Sequence, residues 1–376
     1  MKIVLTGGGT GGHFYPIIAI AEELRILIKE KKLIAPEIYY MAPEPYNSRA
    51  LFENDIIFKQ VSAGKVRRYF SFLNILDAVK TGFGIFGAVW QLYLIFPDVV
   101  FGKGGYASFP VLFAARILGI PVVIHESDSH PGRVNAWAAK FAKRIALSYP
   151  EAAQYFPKEK TAYTGNPIRT EITHPVKEGA AEYLNLEAGI PTILILGGSQ
   201  GSKRINEAVL DALPTLVQKY QIIHQTGKIN FEEVSRTAGV VLAGSSFKER
   251  YKPFDYLNTL AMRMSYGAAS LIISRSGSTI FEIAICGIPS ILIPIPEKIS
   301  HDQVPNAFSY ARTGAAVIIE ENNLSTEIII SEVDKILSDP AKIAKMKAAA
   351  LGFAKPDAAK KIAEQVIDIA LTHETA

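Results

Sequence analysis

Three glycine-rich turns carry the chemistry that is legible in this chain of 376 residues. Gly7-Gly8-Gly9-Thr10-Gly11-Gly12-His13 follows the apolar run Lys2–Thr6 and leads into a helical pattern. In the second half, Gly197-Gly198-Ser199-Gln200-Gly201-Ser202 and Ser274-Arg275-Ser276-Gly277-Ser278-Thr279 do the same after apolar runs of their own. Such a turn lets backbone N–H groups approach a phosphate, and the helix N-terminus adds a favourable potential. Two of them in one half, each at the carboxyl end of a strand expected to be parallel, point to a nucleoside-diphosphate site. Glu282 lies one helical turn further on, where a carboxylate can accept from ribose hydroxyls. The first turn also matches a dinucleotide fingerprint as Gly7-x-Gly9-x-x-Gly12, but the acidic residue expected at the end of the next strand is misplaced, with Glu44 beyond Pro43. An oxidoreductase therefore stays open as a reading; it would bind reduced nicotinamide.

Acid–base groups lie beside the glycine turns. His13 ends the first of them, and an imidazole that is neutral near pH 7 suits a general base. Glu126 and Asp128, flanked by His125 and His130, are rival bases or orienting groups. Neither an H-x-x-x-H pair nor a D-x-D triplet occurs, so no metal site and no cofactor are expected. The charge of a diphosphate would then fall to helix N-termini and to basic side chains such as Arg169.

The elements that must position these groups alternate strand and helix, which argues for parallel sheets covered on both faces. Strands are expected at Ile3–Thr6, Ile38–Met41, Ile56–Val61, Asp98–Phe101, Val122–His125 and Ile145–Leu147. A second series runs Thr192–Leu196, Gln221–Gln225, Ala269–Ser274, Ser290–Ile293 and Ala316–Ile319. Helical patterns fall at Pro16–Lys32, Phe72–Phe96, Phe109–Leu118 and Val134–Lys143, then at Lys203–Tyr220, Asn258–Tyr266, Ile280–Cys286 and Gln303–Thr313. Because both halves open with a strand, a glycine turn and a helix, the expected fold is α/β with two doubly wound domains. The boundary is placed at the turn formers Thr164-Gly165-Asn166-Pro167, giving domains 1–166 and 167–355, with a last helix at 356–371 that could return to the first.

Composition narrows the classes further. The 40 basic and 36 acidic residues leave a net charge of +4, too balanced to indicate nucleic-acid binding. Cys286 stands alone, which excludes a disulfide framework and fits a reducing compartment. The run Ile3-Val4-Leu5 ends at once in glycines and does not read as a signal peptide. The uncharged stretch from Thr81 to Pro97 falls short of the roughly 20 apolar residues of a membrane span. A buried amphipathic helix is expected there instead.

Six motifs, taken in order, resemble a known family. They are Gly7–His13, Gly104-Gly105-Tyr106-Ala107-Ser108, His125-Glu126, Gly165-Asn166-Pro167-Ile168-Arg169, Gly197–Gly201 and Gln303-x-x-Asn306-Ala307, and their order is that of the MurG family of N-acetylglucosaminyltransferases. The resemblance covers about residues 1–355. It implies the GT-B architecture, two Rossmann-like domains facing a cleft, and an inverting transfer from UDP-N-acetylglucosamine to lipid I, undecaprenyl-diphospho-N-acetylmuramoyl-pentapeptide. The products would be lipid II and UDP. Matched by position, the implied donor contacts are Thr10, Gly11, Gly12, Arg169, Ser199, Leu257, Ser278, Thr279, Glu282 and Gln303. The implied acceptor side is Tyr106, His125 and Asn135 with the candidate catalytic residues His13, Glu126 and Asp128. The family usually carries an amide where Asp128 stands, and its form of the Arg275–Glu282 segment is one residue longer.

A lipid acceptor further implies a peripheral protein on the cytoplasmic face of the plasma membrane, with no transmembrane span. The stretch Lys65-Val66-Arg67-Arg68-Tyr69-Phe70 then reads as a patch for an anionic membrane surface. Within the resemblance, another lipid acceptor such as diacylglycerol, a nucleotide-sugar epimerase, or a nucleotide-sugar-binding protein without turnover remain open.

Overall fold

A computed structural model describes residues 1–64, 73–198, 201–300 and 302–374. The chain divides into two units, Met1–Arg169 with Lys355–Ala376, and Thr170–Ala354. The proposed basic patch from Lys65 to Phe70 lies outside the described residues, as does Ser199.

The first unit contains β1 (Lys2–Thr6), α1 (Gly11–Glu30), β2 (Glu37–Ala42), α2 (Ser48–Glu53), β3 (Ile56–Gln60), α3 (Leu73–Ile95), β4 (Val99–Gly102), α4 (Phe109–Ile117), β5 (Val122–Glu126), α5 (Arg133–Ala138), β6 (Arg144–Leu147) and β7 (Thr161–Tyr163). Every strand pairing is parallel, in the order β3-β2-β1-β4-β5-β6-β7. Ile3, Val4 and Leu5 in β1 and Val99, Val100 and Phe101 in β4 are fully buried, as strands covered on both faces must be. The order reverses between β1 and β4, so the turns that leave these two strands diverge and open a crevice at their carboxyl ends.

The second unit repeats the plan. It runs α6 (Ala180–Tyr183), β8 (Thr192–Leu196), α7 (Lys203–Leu216), β9 (Gln221–Gln225), α8 (Phe231–Val241), β10 (Tyr251–Phe254), α9 (Thr259–Ala268), β11 (Ala269–Ser274), α10 (Thr279–Cys286), β12 (Ser290–Leu292), α11 (Gln303–Ala311), β13 (Ala316–Ile318), α12 (Thr326–Leu337) and α13 (Pro340–Phe353). Its parallel sheet has the order β10-β9-β8-β11-β12-β13, reversing between β8 and β11. The chain then returns to the first unit as α14 (Ala358–Glu374). Ile362, Ala363, Val366, Ile367 and Ala370 recur at helical spacing and are buried in one core with Ile17, Ile18 and Leu24 of α1.

Several elements differ from the sequence expectation. The apolar stretch expected to be a buried helix is only partly covered: Ala88, Leu92 and Ile95 of α3 enter the core, while Ile75, Leu76, Val79, Phe83, Phe86, Trp90, Tyr93 and Leu94 are exposed. A segment without charges has no polar face to mark which side meets water, so its pattern could not give the orientation. The edge strands β7 and β10 are too short and polar to read as strands, and β10 contains Pro253, which only an edge tolerates well. Helices α8, α12 and α13 also escaped the pattern. The expected helix Val134–Lys143 keeps only Arg133–Ala138, beyond which Phe141 N–H bonds Ala138 O at three-residue spacing.

Candidate active site

In the first unit the chemistry gathers where β1, β4 and β5 end. Thr6 closes β1 with its hydroxyl on Met41 O (2.7 Å), and the chain turns through Gly7, Gly8 and Gly9, all at positive φ. Gly9 (φ 88°) has no room for a side chain, because a Cβ there would lie 2.9 Å from the Tyr106 ring. The β1 turn therefore lies against the β4 turn. Thr10 starts α1, and its carbonyl accepts from the N–H groups of His13 (3.2 Å) and Phe14 (3.1 Å). Its hydroxyl pairs with His13 Nδ1 at 2.9 Å. A Cβ built on Gly105 would come 3.6 Å from His13 Nε2, an ordinary contact distance, which places that nitrogen beside the β4 turn; the positive φ (75°) is what favours glycine there. Burial, reinforced by the charge of Lys103, lowers the His13 pKa to about 4.

Beneath His13 lies a buried polar knot. Glu126 accepts from Asp128 N–H (3.0 Å) on one oxygen, and from Gly132 N–H (3.0 Å) and Asn135 Nδ2 (3.0 Å) on the other. Asn135 Nδ2 also donates to His125 O (3.0 Å). Lys103, fully buried at the end of β4, donates to Ser127 Oγ at 2.5 Å. Desolvation pushes the Lys103 pKa down to about 8 and raises that of Glu126. His125 Nε2 is within hydrogen-bond distance of Gly165 O (3.0 Å) and Ser148 Oγ (3.2 Å), and burial holds its pKa well below the ordinary value. His125, Glu126 and Asn135 are thus interior residues that shape the turn after β5, while His13, Tyr106 and Asp128 are partly exposed. Arg169 ends the unit with its guanidinium over the Tyr15 ring, 4.0 Å from the centroid. Sequence reasoning gave Lys103 no functional role and passed over Ser127 and Ser148. In the sequence Lys103 is marked only as a residue that is not the commonest before Gly104-Gly105 in the family the chain resembles.

In the second unit the turns after β8, β11 and β12 are neighbours at one end of the sheet. Ser202 caps α7, its hydroxyl accepting from Ile205 N–H (3.4 Å). Helix α10 begins at Thr279 without a side-chain cap from Ser278, so its N-terminal end is open to an anion. Glu282, in its first turn, accepts from the buried Tyr266 hydroxyl at 2.8 Å. Leu257 is buried, and its N–H donates to Gln225 Oε1 (3.0 Å). Gln303 takes a hydrogen bond from Ile295 N–H on its amide oxygen (3.1 Å) and from Ser276 Oγ on its carbonyl (2.8 Å). Leu257, Ser278, Thr279, Glu282 and Gln303 therefore lie on turns and helix starts of this unit, and Thr10, Gly11, Gly12 and Arg169 belong to the first. Among the described residues, no cluster of His, Cys, Asp or Glu is placed to hold a metal ion.

Comparison with known proteins gives a consistent result. Residues 3–147 match the Glycosyltransferase family 28 N-terminal domain, and residues 192–362 the C-terminal domain of the same family. The chain is 34% identical, over 98% of its length and 99% of the relative's, to the UDP-N-acetylglucosamine–N-acetylmuramyl-(pentapeptide) pyrophosphoryl-undecaprenol N-acetylglucosamine transferase of Listeria welshimeri. It is 36% identical to the protein of that name from Clostridium novyi, over 92% of both chains. The crystal structure of Acinetobacter baumannii MurG superimposes with a TM-score of 0.72 at 25% identity, over 98% of this chain and 99% of that one.

Proposed function

The chain belongs to glycosyltransferase family 28 and carries the two Rossmann-like domains of the GT-B fold, and from that premise we propose how its residues perform the transfer. The protein is a hexosyltransferase of peptidoglycan synthesis, moving N-acetylglucosamine from UDP-N-acetylglucosamine to lipid I. The acceptor hydroxyl must lose a proton as its oxygen bonds the sugar C1, and the bond from C1 to the diphosphate oxygen must break.

His13 takes the proton. The observation that carries this reading is its ring geometry, with Nδ1 on Thr10 Oγ1 and Nε2 beside Gly105. With Nδ1–H donating to Thr10, the lone pair sits on Nε2, oriented by a second group as a general base requires. Tyr106 and Asp128 contact the acceptor, and His125, Glu126 and Asn135 hold the turn that presents Asp128. On the donor side, Glu282 accepts from ribose, Leu257 and Gln303 border the nucleotide, and the N–H groups at Ser278 and Thr279 face the diphosphate. The family resemblance assigns further donor contacts to Thr10, Gly11, Gly12 and Arg169 of the first unit. Negative charge growing on the departing UDP is stabilised by helix N-termini already in place. In a radiolabelled transfer assay with a lipid I analogue, UDP-N-acetylglucosamine is expected to support turnover and UDP-glucose is not. UDP-sugar binding without transfer would refute the enzymatic reading.

The acceptor lipid calls for a membrane surface, and α3 supplies a candidate. The segment Ile75–Ile95 is long and apolar enough to cross a membrane by length and composition, yet Ala88, Leu92 and Ile95 are fixed in the core of the first unit. The opposite face, with Phe83, Phe86 and Trp90 at 74%, 75% and 58% exposure, is left to solvent. We assign it to peripheral insertion, with the sequence-adjacent Lys65, Arg67 and Arg68 drawn to anionic headgroups. Replacing Phe83, Phe86 and Trp90 together with Ser should reduce binding to anionic vesicles at least tenfold, because each buried ring contributes on the order of 1.5–3 kcal/mol. Turnover on a short-chain soluble acceptor should change little. Equal flotation of variant and parent would remove α3 from the membrane surface.

A further inference from the structure

Arg275 is a cation on a turn expected to bind a diphosphate, yet its guanidinium is already engaged. Its backbone N–H reaches Leu196 O (3.4 Å) at the end of β8. In the side chain, Nη1 donates to Ile293 O (3.0 Å), just past β12, and Nη2 donates to Ser202 Oγ (2.6 Å) at the start of α7. Nη2 also pairs with Glu321 Oε2 at 2.5 Å, just after β13. Both side chains of that pair are largely buried, at 12% and 14% exposure. The strands concerned, β8, β11, β12 and β13, are four consecutive neighbours in the sheet.

We propose that Arg275 is a positioning residue of the donor site: one guanidinium staples the turns after β8, β11, β12 and β13, and its charge is met by Glu321 rather than by the diphosphate. The proposal rests on the donor reading above and deepens it. Helix N-termini bind an anion well only when their N–H groups are held at the right spacing beforehand. Here the hydroxyl that caps α7 is the same one that Arg275 grips, so the start of α7 is set by a residue of the β11 turn. The next residue extends the tie, since Ser276 Oγ bonds the carbonyl of Gln303 at the start of α11. The planar fork donates to a carbonyl and a hydroxyl while its charge meets the carboxylate by proximity, without an aligned hydrogen bond; an ammonium at the end of a lysine stem lacks that fixed geometry.

Glu321 makes the test decisive, because the two possible roles of Arg275 give opposite signs there. If Arg275 positions the turns, Arg275→Lys and Glu321→Gln should each weaken UDP binding by about 10–100-fold, as small misplacements of binding groups do. The donor KM should rise by a similar factor, while kcat at saturating donor falls less. If Arg275 instead contacts the diphosphate directly, releasing it from Glu321 should leave UDP affinity unchanged or tighten it. Calorimetry with UDP on the full chain reads the difference, with circular dichroism confirming that each variant is folded. Should one variant fail to fold, the other still carries the test. Affinity in Glu321→Gln equal to or above the parent's overturns the proposal, as does parental affinity in Arg275→Lys. A parent protein that does not bind UDP overturns the donor reading itself, and the proposal with it.

Discussion

His13→Ala is expected to lower kcat by about 10²–10⁴-fold while leaving UDP affinity nearly intact, the usual contribution of a positioned base. His13→Asn should fall with it, since an amide can hold the acceptor hydroxyl but cannot take its proton at neutral pH. The pH profile sharpens the expectation. A base works only when unprotonated, and burial with the Lys103 charge places the His13 pKa at about 4 rather than near 6.5. Activity should therefore stay level as the pH drops through 6.5, where an ordinary histidine would be losing it. The same shift makes the imidazole a weaker base, so the loss in His13→Ala should sit towards the lower end of that range. Near-parental kcat in His13→Asn would move the role to Asp128 or Glu126.

The second large effect concerns acid stability. His125 and His224 are both fully buried, one in each unit. His224 lies between the Tyr251 hydroxyl (2.9 Å from Nδ1) and Asn206 Oδ1 (3.1 Å from Nε2), and burial lowers its pKa to about 3. His125 is likewise held well below 6.5 by burial and by Lys103. In the unfolded chain both titrate near 6.5, so below that pH the unfolded state binds a proton that the folded state refuses. Stability is thus complete above about pH 6.5 and falls as the pH drops, by about 1.4 kcal/mol per pH unit for His224. For His224 the decline continues to about pH 3. At pH 5 the penalty from His224 is about 2 kcal/mol, a large share of a typical 5–15 kcal/mol, and His125 adds to it in the same direction. Denaturant titrations at pH 7.5 and 5 should show this loss, and His224→Gln should remove about one proton's worth of the slope. An unchanged slope in that variant would mean His224 is not neutral in the fold.

What could be read from the sequence was local. A glycine turn and the apolar strand before it are neighbours in the chain, so the pattern of residues alone locates the turns after β1, β8 and β11. It locates His13 too, because His13 ends one of them. Its shifted pKa was not legible, because burial, the main cause, is decided by packing, and Lys103, which adds to it, lies at the end of another strand. The engagement of Arg275 was hidden for the same reason, as its Ser202 partner is 73 residues away. The outward face of α3 escaped for a different one. Membership of the core is decided by what packs against a helix, and a stretch without charges, as from Thr81 onward, carries no record of that.

The return of α14 onto α1 has a consequence for biosynthesis. The first 169 residues leave the ribosome early, but the core they belong to includes Ile362, Ala363, Val366, Ile367 and Ala370, made last. The second unit is complete in sequence at Ala354, so it can fold while its predecessor still waits for a helix to cover α1. Translation at roughly 5–20 residues per second leaves that apolar strip bare for many seconds, a window for chaperones or for aggregation. A premature stop after the second unit would leave that unit whole and damage the one encoded first. A second contact within the first unit also forms late: Gly165 at φ 86° leaves space that a Cβ would fill, 2.4 Å from the Lys355 Cβ, and Lys355 arrives 190 residues after it. The unit that is begun first is therefore the one completed last.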